Sequence, residues 1–297
     1  MQPSLANLEQ RLRVHVETLA ATPRPPGGVA HRQARGYIAK HLRQAGFTVE
    51  EVAYASLGTR GVNLLTTPAP ADASLPLVIV GAHYDSLPGT PGADDNASAV
   101  AALLELAAWI GPRLAAEGRP KARLQLAAYD QEEDGLVGSH HHSGTVAGAV
   151  KGMISLEMLG YVDHRPGSQQ LPPHLTGLYP DVGDFIGVVG NETACGLLET
   201  MTAGLKAIDG LPVESMAVPG DGTLLPVTRL SDHASFWDRG LPALMITDTS
   251  FFRNPHYHQA TDAPATLDYA FLAKVTAGVC LGTWALLSDA GVHTHSA

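Results

Sequence analysis

The sequence predicts an α/β fold: a three-layer sandwich whose helices cover both faces of a mostly parallel central sheet. Short apolar runs of strand length alternate along the chain with longer segments of helical periodicity. Strands that alternate with helices in this way are typical of parallel βαβ units. The 297 residues suffice for one large domain, and no linker, repeat or low-complexity tract divides them. We therefore expect a single domain over 1–297.

The N-terminal part of the chain contains two predicted amphipathic helices. The first covers 5–20, where apolar residues recur at helical spacing with charged residues between them. Prolines and a glycine pair within 23–28 end this helix. A second amphipathic helix follows from about 31 to 45.

The rest of the chain alternates between the two kinds of element. Apolar or alternating runs predict strands over 47–54, 75–85, 122–130, 151–159, 184–190, 211–218 and 241–247. Helical spacing or a uniformly apolar composition predicts helices over 97–110, over 135–143, from about 192, over 233–239 and over 267–287. Two irregular stretches, 162–182 and 218–232, are rich in Pro, Gly and Asp. We interpret them as loop insertions, which at this length are often functional.

Composition argues against several classes of protein. The 19 Lys and Arg residues against 29 Asp and Glu residues give a net charge of −10, which disfavours nucleic-acid binding. The two cysteines are too few for a disulfide framework or a thiolate zinc site. No stretch of about 18 uncharged apolar residues exists, so we predict no membrane span. The charged N-terminal segment is unlike a signal peptide, and we expect a cytoplasmic protein.

Side chains of the kinds that bind metal ions stand at the carboxyl ends of four predicted strands. They are His83 and Asp85, Glu132 and Glu133, Glu157, and His258, with the polar run 94–96 in the loop after the first strand. In open α/β sheets, ligands bind beyond these ends of the strands, so we expect the side chains to share one crevice. Nitrogen and oxygen donors of this kind suit zinc, and an open coordination position would make the site catalytic.

Each of these residues also has an ordinary explanation when it is taken alone. A single histidine after a strand is more often structural than a ligand, and adjacent carboxylates such as Glu132 and Glu133 usually lie in a solvated turn. The run 94–96 would also cap the helix that follows it. Glu157 differs, because an unpaired carboxylate inside an apolar strand is costly to bury. The histidine run 140–142 is interpreted as part of a surface helix rather than as a metal site.

Six segments together resemble the co-catalytic zinc aminopeptidase family, which also contains glutamate carboxypeptidase-type enzymes and glutaminyl cyclases. The segments are GAHYDS, GADDNASAVAALLELA, AAYDQEEDGLVGS, SLEMLGY, SDHASFWDRGLPALMITD and PHYHQATD. They occur in the order of the family, and the resemblance covers roughly residues 30–290. It implies the α/β fold of the zinc exopeptidases and hydrolysis at a peptide terminus.

The resemblance implies a ligand set for two zinc ions. His83 and Glu157 correspond to ligands of the first ion, Glu133 and His258 to ligands of the second, and Asp94 to the carboxylate that bridges both. Several family members have Asp where this chain has Glu157. Glutamate is also an oxygen donor, one methylene longer, and the change could move the first metal or alter its occupancy.

The resemblance also implies roles for residues around the metals. Glu132 corresponds to the general base, and Asp85 to a carboxylate that orients the imidazole of His83. Tyr257 occupies a position from which some relatives donate a hydrogen bond to the tetrahedral oxyanion. Asp95, next to the expected bridging residue, lies where the family often has a cis peptide bond.

The expected function is therefore that of a zinc-dependent aminopeptidase acting on a peptide or a small aminoacyl substrate. The metals would polarise the scissile carbonyl and activate a water molecule, and Glu132 would carry the proton of that water to the leaving amine. An acidic crevice suits a free α-amine better than a free carboxylate. Two alternatives are a single-zinc aminoacyl transferase of the glutaminyl cyclase type and a non-catalytic binding domain on the same fold.

Overall fold

A computed structural model describes residues 3–56, 58–117 and 119–288. The strands are β1 (Val49–Ser56), β2 (Thr59–Thr66), β3 (Leu77–His83), β4 (Arg123–Tyr129), β5 (Val150–Glu157), β6 (Ile186–Asn191), β7 (Val213–Val218) and β8 (Ala243–Thr247). The α-helices are α1 (Leu5–Leu19), α2 (Val29–Gln44), α3 (Ala99–Ala116), α4 (Val137–Ser143), α5 (Cys195–Lys206), α6 (His233–Trp237) and α7 (Tyr269–Leu287). The single-domain prediction over 1–297 extends beyond these residues and stays a prediction.

The strands form one mixed sheet in the order β1-β2-β4-β3-β5-β8-β6-β7. The central strands β4, β3, β5 and β8 run parallel to one another, and β6 pairs in parallel with β7. Antiparallel pairs join β1 to β2, β2 to β4 and β8 to β6. The predicted α/β fold with a mostly parallel sheet is confirmed. Because the central strands point the same way, their carboxyl ends lie at one edge of the sheet.

Strand β2 is an element that the sequence analysis does not predict. It forms an antiparallel hairpin with β1 through the whole length of both strands. Two of its buried positions are polar, Asn63 and Thr66, so the alternation of apolar and polar residues that marks a strand is weak here. The Asn63 amide donates to the Gly138 carbonyl at 2.8 Å, which satisfies the buried polar group within the fold.

Alternate residues of β3 pack into two cores on opposite faces of the sheet. Val78 and Val80 belong to the larger core, which also contains buried residues of α1, α2, α3, α5 and α7. Leu77 and Ile79 belong to a smaller core with Phe236 of α6. All residues of β3 are buried, as the continuous apolar run predicts for a strand covered on both faces. Helices on both faces give the three layers of the predicted sandwich.

Two long helices in the described part of the chain are apolar enough to cross a membrane, judged by length and composition alone. One is the helical segment 93–116, which includes α3, and the other is α7. The most apolar part of the segment 93–116 is 56% buried inside the protein, and that of α7 is 72% buried. The two helices contact each other and the rest of the larger core, so here they serve as core helices. The predicted cytoplasmic location stays a prediction.

Candidate metal centre

The carboxyl edge of the parallel strands brings together most of the predicted metal-binding side chains. His83 is the last residue of β3 and Glu157 the last residue of β5, while Glu132 and Glu133 follow β4. His258 lies in the loop after β8, with a left-handed backbone at φ 58°. Parallel pairing of neighbouring strands therefore places donors that are distant in the chain beside one another.

The first group of donors lies deep in the crevice. Nε2 of His83 is 3.5 Å from a carboxylate oxygen of Glu157 and 3.9 Å from one of Glu132. The donor atoms of these three residues lie within 4.8 Å of one another. His83 is completely buried, so its imidazole has no access to bulk water.

The second group of donors is closer to the surface. Nε2 of His258 is 3.2 Å from an oxygen of Glu133 and 3.2 Å from Oδ2 of Asp95. Oδ1 of the same Asp95 is 3.2 Å from Nε2 of His83. Asp95 thus connects the two groups through its two carboxylate oxygens, and the peptide bond between Asp95 and Asn96 is cis.

Asp94, the residue expected to bridge the two metals, points away from both groups. Its Oδ1 accepts a hydrogen bond from the Gly160 amide at 2.9 Å, and its Oδ2 accepts one from the Asn254 side chain at 2.7 Å. The adjacent residue, Asp95, stands between the histidines instead. The geometry therefore moves the candidate bridging position by one residue. The one-residue difference lies in an irregular turn before α3 with non-helical backbone at Asp95, where no periodicity indicates which side chain faces the crevice.

A buried carboxylate, Asp262, explains why this turn holds its shape. Its two oxygens accept hydrogen bonds from the backbone amides of Asp94 at 2.9 Å and of Asp95 at 3.1 Å. Asp262 is the last residue of the segment PHYHQATD, and its role is not predictable from the sequence pattern. A carboxylate that accepts backbone N–H groups beside a candidate ligand orients that ligand.

Asp85 contacts two parts of the centre, the His83 imidazole and the loop after β4. One oxygen lies 3.4 Å from Nδ1 of His83, on the side where the sequence analysis expects an orienting carboxylate. Its oxygens also accept hydrogen bonds from the backbone amides of Glu132 and Glu133, at 3.2 Å each. The second contact was not predicted, and it ties the β4 loop to the end of β3.

Ser231 is a further residue that the sequence reasoning missed. Its hydroxyl donates to an oxygen of Glu157 at 2.7 Å, and it also lies 2.9 Å from the hydroxyl of Ser155. All three side chains are buried. Ser231 is the first residue of the segment SDHASFWDRGLPALMITD, but serine is too common a residue type to be singled out by pattern, so only the folded contact identifies it.

The centre concentrates negative charge in a buried place. Burial, together with neighbouring carboxylates, raises the pKa of Glu132 well above its usual value. Burial lowers the pKa of His83, but the carboxylates of Glu132 and Glu157 raise it more, so that its pKa is well above the ordinary one. For the more exposed His258, hydrogen bonds with Asp95 and other contacts outweigh burial and raise the pKa to about 9.

The donor set fits divalent zinc. Nε2 of His83 is a buried nitrogen without a hydrogen-bond partner among the described residues, and it faces three carboxylates. Four carboxylates and two imidazoles lie close together here, and zinc prefers imidazole nitrogen and carboxylate oxygen donors of this kind. The residues that would hold it are His83, Glu157, Asp95, Glu133 and His258.

An apolar cavity opens beside the candidate metal centre. It is open to solvent and is lined on one side by Asp95, Glu132, Glu157 and His258. The other walls come from the stretches 162–182 and 218–232, from β6, β7 and β8, and from the segment after β8. The residues that form these walls include Leu171, Leu175, Phe185, Val188, Met216, Leu225, Val227, Met245, Phe251 and Phe252.

Tyr257 lies where the cavity meets the donors. Its ring stacks on the imidazole of His258, with centroids 3.6 Å apart and planes at 21°, and it lines the cavity. Burial, with nearby carboxylates, raises the pKa of Tyr257, which keeps its hydroxyl protonated as a hydrogen-bond donor.

Comparison with known proteins identifies a family for most of the chain. The profile of peptidase family M28 matches residues 63–282. An uncharacterized protein of Escherichia coli strain K12, YfbL, is 44% identical over 231 residues, which cover 73% of this chain and 68% of that protein. Leupeptin-inactivating enzyme 1 of Streptomyces exfoliatus is 29% identical, over 80% of this chain and 48% of that enzyme. The chain thus spans about half the length of this second relative.

Solved structures share the fold at low sequence identity. A zinc aminopeptidase of Bacillus subtilis has a TM-score of 0.71 and 14% identity, covering 96% of this chain and 97% of that one. A glutaminyl cyclase of Porphyromonas gingivalis has a TM-score of 0.69 and 19% identity, covering 93% and 98%. At these identities the likeness establishes the common fold and does not choose between the two activities.

Proposed function

Since the chain belongs to peptidase family M28, as the resemblance of its motifs implies, we propose that it is a zinc aminopeptidase with two metal ions that prefers an apolar N-terminal residue. One observation carries the proposal: two donor groups joined by Asp95 line the same cavity as an extended apolar wall. A scissile bond placed at the donors would leave the side chain of the first residue in that cavity.

The protein supplies a complete set of donors for two ions. We assign His83 and Glu157 to one ion, Glu133 and His258 to the other, and Asp95 to both. Zinc bound there would supply a Lewis acid for the scissile carbonyl and would lower the pKa of water. Asp85 contacts the His83 imidazole and accepts a hydrogen bond from the Glu132 amide, so it fixes the position of the β4 loop relative to His83.

Glu132 is the residue placed to move the proton. Among the carboxylate contacts of His83 Nε2, that of Glu132 is the longest at 3.9 Å, and its side chain lines the cavity. The carboxylate accepts a proton from the attacking water and returns it to the leaving amine. Tyr257 is placed to donate its hydroxyl proton to the oxygen that develops negative charge.

The charge of the cavity favours an amine over a carboxylate as the recognised terminus. Besides the assigned zinc ligands, the described residues that line it include the carboxylates Glu132 and Glu214, and no lysine or arginine. A free α-amine is attracted by such a surface, whereas the α-carboxylate needed by a carboxypeptidase is repelled. The apolar wall stabilises an apolar side chain by removing it from water.

The proposal is tested with a panel of aminoacyl 4-nitroanilides carrying Leu, Phe, Lys, Glu or Pro, assayed with zinc and after chelation. We expect fast, zinc-dependent release of nitroaniline from the Leu and Phe compounds. The N-acetylated Leu compound is the matched control and should be inert, because it lacks the amine. Hydrolysis that is equally fast with the blocked substrate would overturn the assignment as an aminopeptidase.

The glutaminyl cyclase of the same fold makes cyclisation the second candidate function. The family resemblance implies one zinc ion for a protein of the cyclase type and two for an aminopeptidase, so the metal content of the purified protein separates the two. We expect two zinc ions per chain and no cyclisation of an N-terminal glutaminyl peptide. One zinc per chain together with release of ammonia from that peptide would favour the cyclase.

A further inference from the structure

Arg24 is a fully buried arginine in the segment between α1 and α2. It is 1% exposed, and it precedes both the part of the chain matched by the family profile, 63–282, and the motifs that carry the resemblance. No carboxylate among the described residues is hydrogen-bonded to its guanidinium. A charged group buried without a direct counter-ion is costly, so its position requires an explanation.

The guanidinium donates to backbone carbonyls of two segments that carry the candidate ligands. Nε donates to the Tyr84 carbonyl at 3.0 Å, and Tyr84 stands between His83 and Asp85. Nη1 donates to the Pro91 carbonyl at 2.7 Å and Nη2 to the Gly92 carbonyl at 2.9 Å, at the start of the turn that presents Asp95. Nη1 also reaches the Leu19 carbonyl at the end of α1, at 2.8 Å.

The main chain of Arg24 is also fixed to the first of these segments. Its amide donates to the Ser86 hydroxyl at 2.9 Å, and the Ser86 amide donates to the Arg24 carbonyl at 3.2 Å. Gly92 shows how closely the second segment approaches. A Cβ atom there would lie 2.9 Å from Nη2 of Arg24, and the residue has a left-handed backbone at φ +66°.

The charge of Arg24 is compensated through space by the centre itself. Burial lowers the pKa of Arg24 to about 10, while the carboxylates of Asp85, Asp95, Asp262 and Glu133 oppose that shift. The guanidinium therefore stays protonated at neutral pH. The turn before α3 is held by this cation at the carbonyls of 91 and 92 and by the Asp262 carboxylate at the amides of 94 and 95.

We propose that Arg24 is a positioning residue for the metal centre. Its guanidinium clamps the end of β3 to the turn that carries Asp95, so that His83 and Asp95 keep the separation needed to share a metal ion. Its fixed positive charge also offsets the repulsion among the carboxylates when the ions are absent. This role rests on the proposed function, because it presupposes that the centre binds zinc.

The test compares zinc affinity with stability in three variants. Arg24→Gln removes the charge and the fork of donors, whereas Arg24→Lys keeps the charge and loses the fork. Leu42→Ala is the matched control: it removes a fully buried side chain of α2 and is expected to lower the unfolding temperature. Zinc affinity is measured by competition with a fluorescent chelator, and folding by circular dichroism and thermal unfolding.

We expect both Arg24 variants to bind zinc about 10–100-fold more weakly than the parent, the range found for residues that orient metal ligands, with the larger loss in Arg24→Gln. Leu42→Ala should unfold at a lower temperature and bind zinc with the parent affinity. If Arg24→Gln does not fold, the zinc affinity of the charge-retaining Arg24→Lys, compared with that of the parent, tests the proposal.

Two results would overturn the role of Arg24. One is a folded Arg24→Lys or Arg24→Gln protein whose zinc affinity is within twofold of the parent. The other is a loss of affinity in Leu42→Ala as large as that in the Arg24 variants, which would make the effect one of general stability. A parent protein that binds no zinc would instead overturn the proposed function, and the role of Arg24 with it.

Discussion

The two walls of the crevice are built in different ways. The polar wall consists of the buried ends of β3, β4 and β5 and the turn before α3. The backbone amides of its ligand-bearing segments donate hydrogen bonds to the carboxylates of Asp85 and Asp262, which fixes these segments. The apolar wall consists of β6, β7 and β8 with long loops, and its members share only their hydrophobicity. Donors that converge on an ion must be positioned to within a few tenths of an ångström. An apolar wall needs only to match the shape of the side chain that packs against it.

The largest expected effect is the loss of turnover when Glu132, the proposed general base in the polar wall, is replaced. Glu132→Gln keeps the size of the side chain but cannot accept the proton of the attacking water. We expect the rate to fall by about 10²–10⁴-fold, with zinc content unchanged. Kinetics on a Leu nitroanilide and elemental analysis of the same sample provide the measurement, and near-normal turnover with full zinc would contradict the assignment of Glu132.

The second prediction uses the adjacent carboxylates Asp94 and Asp95. Asp95→Asn replaces the carboxylate whose two oxygens contact the two donor groups, so we expect both ions to be lost on dialysis. Asp94→Asn is the matched control, because Asp94 contacts Gly160 and Asn254 rather than the histidines. It should lower stability and retain zinc. Metal content after dialysis is the readout, and the reverse pattern would restore Asp94 as the bridging residue.

Glu157 provides a finer test within the polar wall. Its side chain contacts His83 at 3.5 Å and belongs to one donor group only. Glu157→Ala should therefore lower the affinity for one zinc ion far more than the affinity for the other. Glu157→Asp shortens the reach by one methylene, and we expect it to retain part of the metal. Zinc titration of the metal-free protein resolves the two affinities; if Glu157→Ala binds both ions like the parent, the carboxylate is not a ligand.

The apolar wall is tested by placing a charge in it. Met216→Glu puts a carboxylate among the wall residues, so we expect kcat/KM for the Leu substrate to fall by about 10–200-fold and zinc binding to remain. Leu224→Glu is the control, since Leu224 is 83% exposed and lies outside the wall, in the loop that follows β7. Equal effects of the two variants would show that the wall does not contact the substrate.

The smallest expected effect concerns His142, which contacts Tyr129 at the end of β4. The histidine run 140–142 is predicted to lie on a surface helix, but His142 is buried, with Nδ1 3.0 Å from the Tyr129 hydroxyl. Burial lowers the pKa of His142 from 6.5 to about 4. Below pH 6.5 the unfolded chain binds a proton that the folded protein does not, so stability is lost as the pH falls from 6.5 toward 4.

His142→Gln removes this titration. We expect the free energy of unfolding of the parent to fall between pH 7 and pH 5 by about 2 kcal/mol more than that of the variant, since one pKa unit corresponds to about 1.4 kcal/mol. Urea unfolding at both pH values measures it. Equal losses in the two proteins would show that His142 does not contribute to the pH dependence.

Much of the polar wall could be predicted from the sequence, because strands have a simple period and their ends are marked. A continuous apolar run that ends in a histidine, as at His83, indicates both a buried strand and the edge where its last side chain lies. Glu157 was recognisable because an apolar strand seldom contains a carboxylate. Strand β2 escaped prediction because Asn63 and Thr66 interrupt its pattern, although both are buried.

The sequence by itself determined the fold class, the family and which segments carry the donors, since these depend on local residue patterns. Only the tertiary structure decided that Asp95 rather than Asp94 faces the histidines. In an irregular turn the direction of a side chain depends on distant groups, here Asp262 at the amides and Arg24 at the carbonyls. The apolar wall likewise exists only where loops far apart in the chain meet. Local pattern specifies elements and their chemistry, and long-range packing and hydrogen bonds decide which atoms meet.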